Sequence, residues 1–498
     1  MTHVTGNRVA VIGGGVAGLV SAKVLMQDGF DVTMFEKAPT PGGVWSESRA
    51  YPGLRTNNPR ETYAFSDFAY PEGTAEFPTA AEVRRYLDAY ARHFGLTPHI
   101  RCMTEVTLVE TLGGRADREQ RRYRLTLRRH NGQQPAEDTY HADRVVVCNG
   151  VFNRPFVPAP AGREAFSGQY LHSSQLAQAS ISPGNRVVVV GGGKSALDCA
   201  LAASDQGALC TLVCRRPHWM LPRYFGARLR VDKVLFTRFS ELLLPAYYRA
   251  GRVERALRWT ASPLLKLLWK LQSRKTIKLA GIPPAMVPEA PLPSGIENIG
   301  IGEAFYQAMK AGRITVRRSG MAAFTGGTRI LLDNGDHLDA DLVVFATGWR
   351  QDTSLLSTQL RRRIQRNGSF QLYRHILPPE EPNLGFVGYA SSSACPMTSE
   401  LAAHWLSQHF RGELTLPDVP TMKEEIERVR RWSGSVFPAR KEGYFIGAYI
   451  AHYADELLGD MGLRQKRAPL LREYFAPFWP HRYQNLARER QQARGKRH

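Results

Sequence analysis

Two stretches of this chain share one pattern of strand, glycine-rich turn, helix and strand, and that duplication restricts the available folds more than any other feature. The first begins with the apolar run Arg8-Val9-Ala10-Val11-Ile12 and enters Gly13-Gly14-Gly15-Val16-Ala17-Gly18. An amphipathic helix is expected from Leu19 to Gln27, then a strand Asp31–Phe35 that ends at Glu36, 21 residues after Gly15. The second runs from Arg186-Val187-Val188-Val189-Val190 into Gly191-Gly192-Gly193-Lys194-Ser195-Ala196. Its helix should reach about Asp205, and the strand beginning at Leu209 ends at Arg215-Arg216, with Arg215 22 residues after Gly193. Each stretch reads as a βαβ unit whose turn holds a pyrophosphate on free backbone N–H groups at a helix N-terminus. The expected class is α/β, with two dinucleotide-binding, Rossmann-like domains on parallel sheets.

The two units differ in charge where the adenosine ribose would lie. In the first, Gly13 permits a tight turn, Gly15 lets backbone approach a pyrophosphate and Gly18 lets helix pack on strand. Glu36 can accept hydrogen bonds from ribose hydroxyls but repels a 2′-phosphate, so FAD or NAD suits this site. In the second, Gly191 and Gly193 take the corresponding places, Ala196 replaces the third glycine, and Ser195 opens the helix. Arg215 and Arg216 stand where the first unit has an acid, and guanidinium groups form forked hydrogen bonds with phosphate. NADP(H) is the expected ligand there. Two unlike dinucleotide sites in one chain imply electron transfer from NADPH to FAD.

Composition removes several other classes. Hydrophobic residues make up 43% and charged residues 22%, which excludes a disordered chain. The six cysteines, Cys102, Cys148, Cys199, Cys210, Cys214 and Cys395, contain no Cys-x-x-Cys. A disulfide framework, a zinc site and a redox dithiol are disfavoured, and no metal site is expected. Cys210 and Cys214 read as core residues of a strand. Only seven residues precede the first strand, with no secretory signal, and no apolar stretch is long enough to span a bilayer. A cytoplasmic location, with peripheral membrane contact as an option, is the expectation. The net charge of +21 favours anionic partners. No nucleic-acid module is present, so no nucleic-acid partner is expected.

Further motifs follow in a fixed order: Pro41-Gly42-Gly43-Val44-Trp45, Leu54-Arg55-Thr56-Asn57-Asn58-Pro59-Arg60-Glu61, Phe166-Ser167-Gly168-Gln169-Tyr170-Leu171-His172, Asp341 through Trp349 with Ala346-Thr347-Gly348, and Ser399-Glu400-Leu401. With the two glycine turns they resemble the flavin-containing monooxygenase family over nearly the whole chain. The resemblance implies N,N-dimethylaniline monooxygenase-type chemistry. NADPH reduces FAD, O2 adds to the flavin as a C4a-hydroperoxyflavin, and one oxygen atom passes to an amine or sulfide. It places Gly43 and Trp45 at FAD, and Asn57 at the flavin and nicotinamide as the catalytic residue. Phe166, Gly168 and His172 become a fingerprint on the linker between domains. Thr347 and Gly348 are expected near the FAD phosphates or at the return to the FAD domain.

The likeness has departures. The fingerprint normally closes on an aromatic residue four positions after the histidine, and here that position is Leu176. Baeyer–Villiger monooxygenases, close relatives, resemble YPGxRxD where this chain has Tyr51-Pro52-Gly53-Leu54-Arg55-Thr56-Asn57. Asn57 in place of aspartate favours oxygenation of nitrogen or sulfur. Baeyer–Villiger oxidation of a ketone, a flavin-dependent reductase without oxygen transfer and a scaffold that merely retains FAD remain as alternatives.

A long segment from Arg228 to about Leu279 carries thirteen Lys or Arg against Asp232, Glu241 and Glu254. Ser262-Pro263 has the form of a helix start. Beyond it Lys266, Lys270, Arg274 and Lys278 recur every fourth residue beside Leu264, Leu267, Leu268 and Leu271. Three readings stand: a lid, a surface for anionic membrane, or a helix packed on the NADP domain with a solvated basic face. The basic tail from Arg488 is expected to fray. The resulting layout is an FAD domain from residues 1–160 and 336–498, with an NADP domain, 161–335 including a basic insert at about 228–281, set between them. The active site is expected in the cleft where the two domains meet.

Overall fold

In this computed structural model the described residues are 7–112, 122–130, 137–226, 229–296, 299–366, 369–440 and 444–495. Arg228 of the insert and Lys496 and Arg497 of the tail lie outside them. The chain opens with β1 (Arg8–Ile12), α1 (Val16–Gln27) and β2 (Asp31–Phe35). After α2 (Ala80–His93) come β3 (Ile100–Arg101), an antiparallel meander of β4 (Thr104–Leu112), β5 (Arg122–Arg129) and β6 (Glu137–Ala142), and then β7 (Arg144–Val147). The first crossing between domains is β8 (Arg154–Pro155). The second domain holds β9 (Gln169–His172), β10 (Arg186–Val190), α3 (Lys194–Asp205) and β11 (Leu209–Val213). The insert contributes α4 (Arg238–Leu243) and α5 (Arg252–Ala280). Then follow β12 (Ile314–Arg317), β13 (Leu342–Phe345), β14 (Trp349–Arg350), β15 (Leu384–Phe386), α6 (Cys395–Phe410) and, last, α7 (Leu486–Gly495).

Two five-stranded parallel sheets form the frame. The first has the order β15-β7-β1-β2-β3 and the second β12-β11-β10-β13-β9. Both are buried on two faces, which is why β1 and β10 are continuous apolar runs rather than alternating ones. In β1, Val9 and Val11 pack with α1 and α6, while Ala10 and Ile12 meet Leu125 and Leu127 of the meander. In β10, Val187 and Val189 pack on α3, while Val188 and Val190 meet Phe324, Ile330 and Leu332 of a second antiparallel meander over 321–339. Each domain is thus a parallel sheet between helices and a small antiparallel sheet. Cys210 and Cys214 are buried in the second, as their strand pattern implied.

Three expectations are corrected. β13 pairs with both β10 and β9, so it belongs to the second sheet, and the return to the first domain falls after Phe345 rather than at 336. The insert helix does not start at Ser262-Pro263. It starts after Gly251 and carries Pro263 within it, at an exposed position where the missing N–H is tolerated. The described part of the tail is helical, as α7, rather than frayed: Arg490 is fully buried and pairs with Asp28, the residue that caps α1.

Candidate functional site

β1 and β10 each run into a glycine turn at the carboxyl edge of their sheet, the place where nucleotides bind in open α/β sheets. Gly13 has φ +108°, and a Cβ there would lie 2.6 Å from the Cys148 carbonyl oxygen at the end of β7. A Cβ on Gly18 would lie 1.9 Å from the Gly13 carbonyl oxygen. Neither position has room for a side chain, so strand and helix meet as bare backbone. Gly15 and Gly43 face each other, an added Cβ on either falling 3.4 or 3.1 Å from the other's Cα. The Pro41–Trp45 loop therefore covers the first turn. Trp45 anchors it from behind: the indole N–H donates to Tyr63 Oη at 3.0 Å and the rings meet edge-on at 5.6 Å.

Glu36 closes this cradle. Its buried carboxylate accepts the Gly14 N–H at 2.6 Å and the Ala38 N–H at 2.8 Å. Two further lone pairs remain for ribose hydroxyls. Gly13, Gly15, Gly18, Glu36, Gly43 and Trp45 are thereby brought together.

The second turn repeats the construction with the opposite charge. A Cβ on Gly191 would lie 2.4 Å from the Ala346 carbonyl oxygen, and one on Gly192 would lie 2.9 Å from that of Arg216. Around Gly193 there is open space, as a backbone that meets a ligand requires. Ala196 is fully buried where the first unit has Gly18. Lys194, in the first turn of α3, pairs with Asp198. Arg215 and Arg216 are exposed at the end of β11 and make no ion pair among the described residues. They leave guanidinium charge free for an anionic group.

The loop bearing Asn57 is fastened at several points. Thr56 N–H donates to the Pro78 carbonyl at 2.9 Å, Arg60 N–H to that of Glu76 at 2.8 Å, and Thr56 Oγ1 to that of Asn58 at 2.8 Å. Farther along, Ser66 donates its N–H and hydroxyl to Glu400 of α6, both at 2.8 Å. Burial raises the Glu400 pKa, and Lys23 at 3.7 Å opposes that rise. Asn57 is exposed and makes no side-chain hydrogen bond among the described residues. Asn58 is buried, and its Nδ2 has no hydrogen-bond partner among the described residues. An open amide beside a buried, unsatisfied amide donor fits a flat heterocycle bearing carbonyl and N–H groups, as an isoalloxazine does.

The fingerprint residues pack or pin rather than line the cradles. The Phe166 ring sits 4.4 Å from that of Phe324, and a Cβ on Gly168 would run into Phe166, Ala340 and Asp341. His172 is buried, its Nδ1 2.9 Å from Ser174 Oγ and its Nε2 3.0 Å from the Gly348 carbonyl. Burial lowers its pKa, against the hydrogen bond to Gly348. Thr347 Oγ1 donates to the Phe156 carbonyl, and β14 pairs antiparallel with β8. Thr347 and Gly348 therefore lie where the chain crosses between domains, not at the first glycine turn.

Three residues at this junction carry roles that the sequence alone did not assign. Tyr51 donates to Asp198 Oδ2 at 3.0 Å and receives Ser195 Oγ at 3.5 Å, joining the loop of the first unit to the helix of the second. Burial, with the Asp198 carboxylate, pushes the Tyr51 pKa well up. Arg49 stacks on Trp349 at 4.5 Å and donates to the Phe152 carbonyl. Arg49 stands just before the Tyr51–Asn57 motif and Tyr51 opens it, but nothing in that spacing marks either residue as a contact between the two units.

Residues 6–257 and 298–471 match the Flavin-binding monooxygenase-like family. A probable flavin-containing monooxygenase 1 of Arabidopsis thaliana is 30% identical over 95% of this chain and 95% of its own. Dimethylaniline monooxygenase [N-oxide-forming] 2 of Cavia porcellus is 30% identical over 92% and 83%. Among solved structures, cyclohexanone monooxygenase with bound epsilon-caprolactone shares the fold, with TM-score 0.63 and 18% identity over 92% and 98%. The complex of OTEMO with FAD and NADP has the same architecture. With one cradle acidic, the other cationic, and this match across both domains, the chain belongs to the flavin-binding monooxygenase-like family, oxidoreductases whose cofactors are FAD and NADP(H).

Proposed function

We propose that the protein uses NADPH, FAD and O2 to place one oxygen atom on a nitrogen or sulfur centre of a small organic molecule. FAD, when bound, supplies the oxygen-activating chemistry, and NADPH supplies the hydride. The chain's own residues bind, orient and insulate them. The first cradle, from Gly13 to Gly18 with Gly43, would hold the FAD pyrophosphate, and Glu36 its ribose hydroxyls. Gly191, Gly193 and Ser195 would receive the NADPH pyrophosphate, and Arg215 with Arg216 its 2′-phosphate. Tyr51 and Asp198 hold the facing walls together and help keep water out. Six free cysteines and no disulfide among the described residues agree with a cytoplasmic setting.

The observation that carries the heteroatom reading is Asn57. It is an uncharged amide at the position where ketone-oxidising relatives are expected to carry an aspartate, and its donor and acceptor atoms are both open. An amide orients reactants without adding a charge that titrates. The N-oxide-forming relative favours this reading, while the fold shared with cyclohexanone monooxygenase keeps ketone oxidation as the second one. Incubating the FAD-loaded protein with NADPH, ¹⁸O2 and, separately, a thioether, a tertiary amine and a cyclic ketone separates them. Labelled sulfoxide or N-oxide is expected. Labelled lactone with neither of these would reverse the assignment, and NADPH consumption with no labelled product at all would mark a reductase. Asn57→Ala is expected to lower product formation by at least about ten-fold, the scale of one lost positioning contact, while FAD content stays unchanged.

A further inference from the structure

Two arginines converge on Phe77 from the two domains with no acid between them. Arg55 belongs to the loop of Asn57. It forms an isolated antiparallel bridge with Thr79, and its guanidinium donates to the Phe77 carbonyl at 3.3 Å. Exposed Arg55 and exposed Asn57 flank buried Thr56, the alternation of an extended segment, so both face the open side of the loop. Arg223 comes from the second domain, just after Met220-Leu221, which pairs with Gly300-Ile301. Its guanidinium stacks on the buried Phe77 ring at 5.1 Å. Phe77 thus carries one cation from each domain, one on its carbonyl and one on its ring.

The carboxylates nearest in the chain and the fold are engaged with other groups. Glu76 accepts from Tyr224 Oη and, at 2.9 Å, from Arg230, which also pairs with Glu61 at 3.1 Å. Glu82 caps α2, accepting from Thr79 and from the Ala75 N–H. Asp198 accepts from Tyr51 and pairs with Lys194. Neither Arg55 nor Arg223 forms an ion pair among the described residues, and the buried Arg223 Nε has no hydrogen-bond partner there. Burial lowers the Arg223 pKa, Asp198 and Glu303 oppose that, and the Arg55 charge adds to it. A half-buried guanidinium held in this way calls for an anion.

We propose that Arg55 and Arg223 bind a carboxylate of the substrate, so that the molecule oxygenated is a small thioether or amine that bears a carboxylate. This rests on the reading that nitrogen or sulfur is oxygenated beside Asn57. Planar guanidinium forks hold a carboxylate through paired hydrogen bonds. Arg55 and Asn57 are two residues apart, roughly 7 Å along an extended chain, so the heteroatom stands a few bonds from the carboxylate. The anionic groups of NADPH are met elsewhere, at the glycine turn from Gly191 and at Arg215 and Arg216. The net charge of +21 draws a small anion toward the protein.

The test uses the full-length, FAD-loaded protein with NADPH, O2 and either β-methylthiopropionate or its methyl ester. Sulfoxide should form from the acid with the higher kcat/KM. Arg55→Gln and Arg223→Gln should each lower kcat/KM for the acid relative to the ester by at least about ten-fold, with FAD content retained as the sign of intact folding. Pentanoate has a methylene in place of the sulfur and reads the subsite without turnover. By calorimetry it should bind the FAD-loaded protein, and either variant should weaken it at least about ten-fold. Pentanoate binding that depends on both arginines, with no sulfoxide from either thioether, would sink the heteroatom reading and uphold the carboxylate subsite. Four results would overturn the subsite: no binding of pentanoate, binding that both variants leave intact, equal loss on acid and ester, or a matching rise in KM for NADPH, which would assign both guanidiniums to a phosphate of the coenzyme.

Discussion

Gly18 and Ala196 occupy equivalent places in the two units, and the difference between them is one of contact distance. A Cβ at residue 18 would fall 1.9 Å from a backbone carbonyl, whereas Ala196 is accommodated with no exposure at all. Gly18→Ala must therefore push α1 off β1 and open the cradle. It is expected to give protein that loses most of its flavin, read as the ratio of visible to ultraviolet absorbance, whereas Ala196→Gly costs only about 1 kcal/mol of helix stability. The cationic end of the second unit has its own test. Arg215 makes no ion pair among the described residues, so its removal takes away little but ligand contact. Arg215→Gln should raise KM for NADPH on the order of ten-fold, about 1.4 kcal/mol, with KM for NADH nearly unchanged. An equal rise for both coenzymes would remove the arginine from the 2′-phosphate.

At the scale of elements, the two crossings between domains are tied into one strap. β8 pairs with β14, Thr347 holds the Phe156 carbonyl, and the Gly348 carbonyl accepts from both the Phe156 N–H, at 2.9 Å, and His172. His172→Ala leaves the half-buried Gly348 carbonyl one donor short. The expected cost is about 1–3 kcal/mol of stability by urea titration, with FAD content unchanged. The strap also shows what the sequence could reveal at this scale. The glycine turns and the strands beside them were legible because their spacing and composition are dictated by a ligand and a buried sheet. The strand at Leu342–Phe345 was legible as a strand, but a short apolar run carries no mark of which sheet it joins. Its pairing with β9 and β10 came only with the structure. Ser262-Pro263 misled for a related reason. Its local chemistry suits a helix start, but the helix is held by Trp269, Ser273 and Thr276 farther along and runs through the proline.

Across the whole molecule, the first and last helices are clasped by charge that the sequence did not disclose, because its partners are 462 residues apart. Arg490 donates to Asp28 and, at 2.7 Å, to His404 Nδ1 in the middle of α6, while Arg411 holds the Asp28 carbonyl at 2.7 Å. Read alone, a basic tail has no reason to order; read with Asp28, it has one. Breaking such a buried pair from one side leaves an uncompensated charge, so Arg490→Met should cost about 3–5 kcal/mol. The same clasp sets a pH dependence. Burial and the adjacent Arg490 guanidinium hold the His404 pKa well below its ordinary value. The unfolded chain therefore binds a proton here, below its pKa of about 6.5, that the folded protein refuses, and stability falls as pH drops through and below that value. Glu400, one turn earlier on α6, acts oppositely: burial raises its pKa, so its protonation favours the folded state as pH falls. Wild type alone would mix the two. The difference between wild type and His404→Gln isolates the histidine, because Gln can still accept from Arg490 but does not titrate. Urea midpoints measured from neutral pH to about pH 5 should fall more steeply for wild type than for the variant. Parallel slopes would mean that His404 does not titrate against folding, and that the clasp is indifferent to acid in this range.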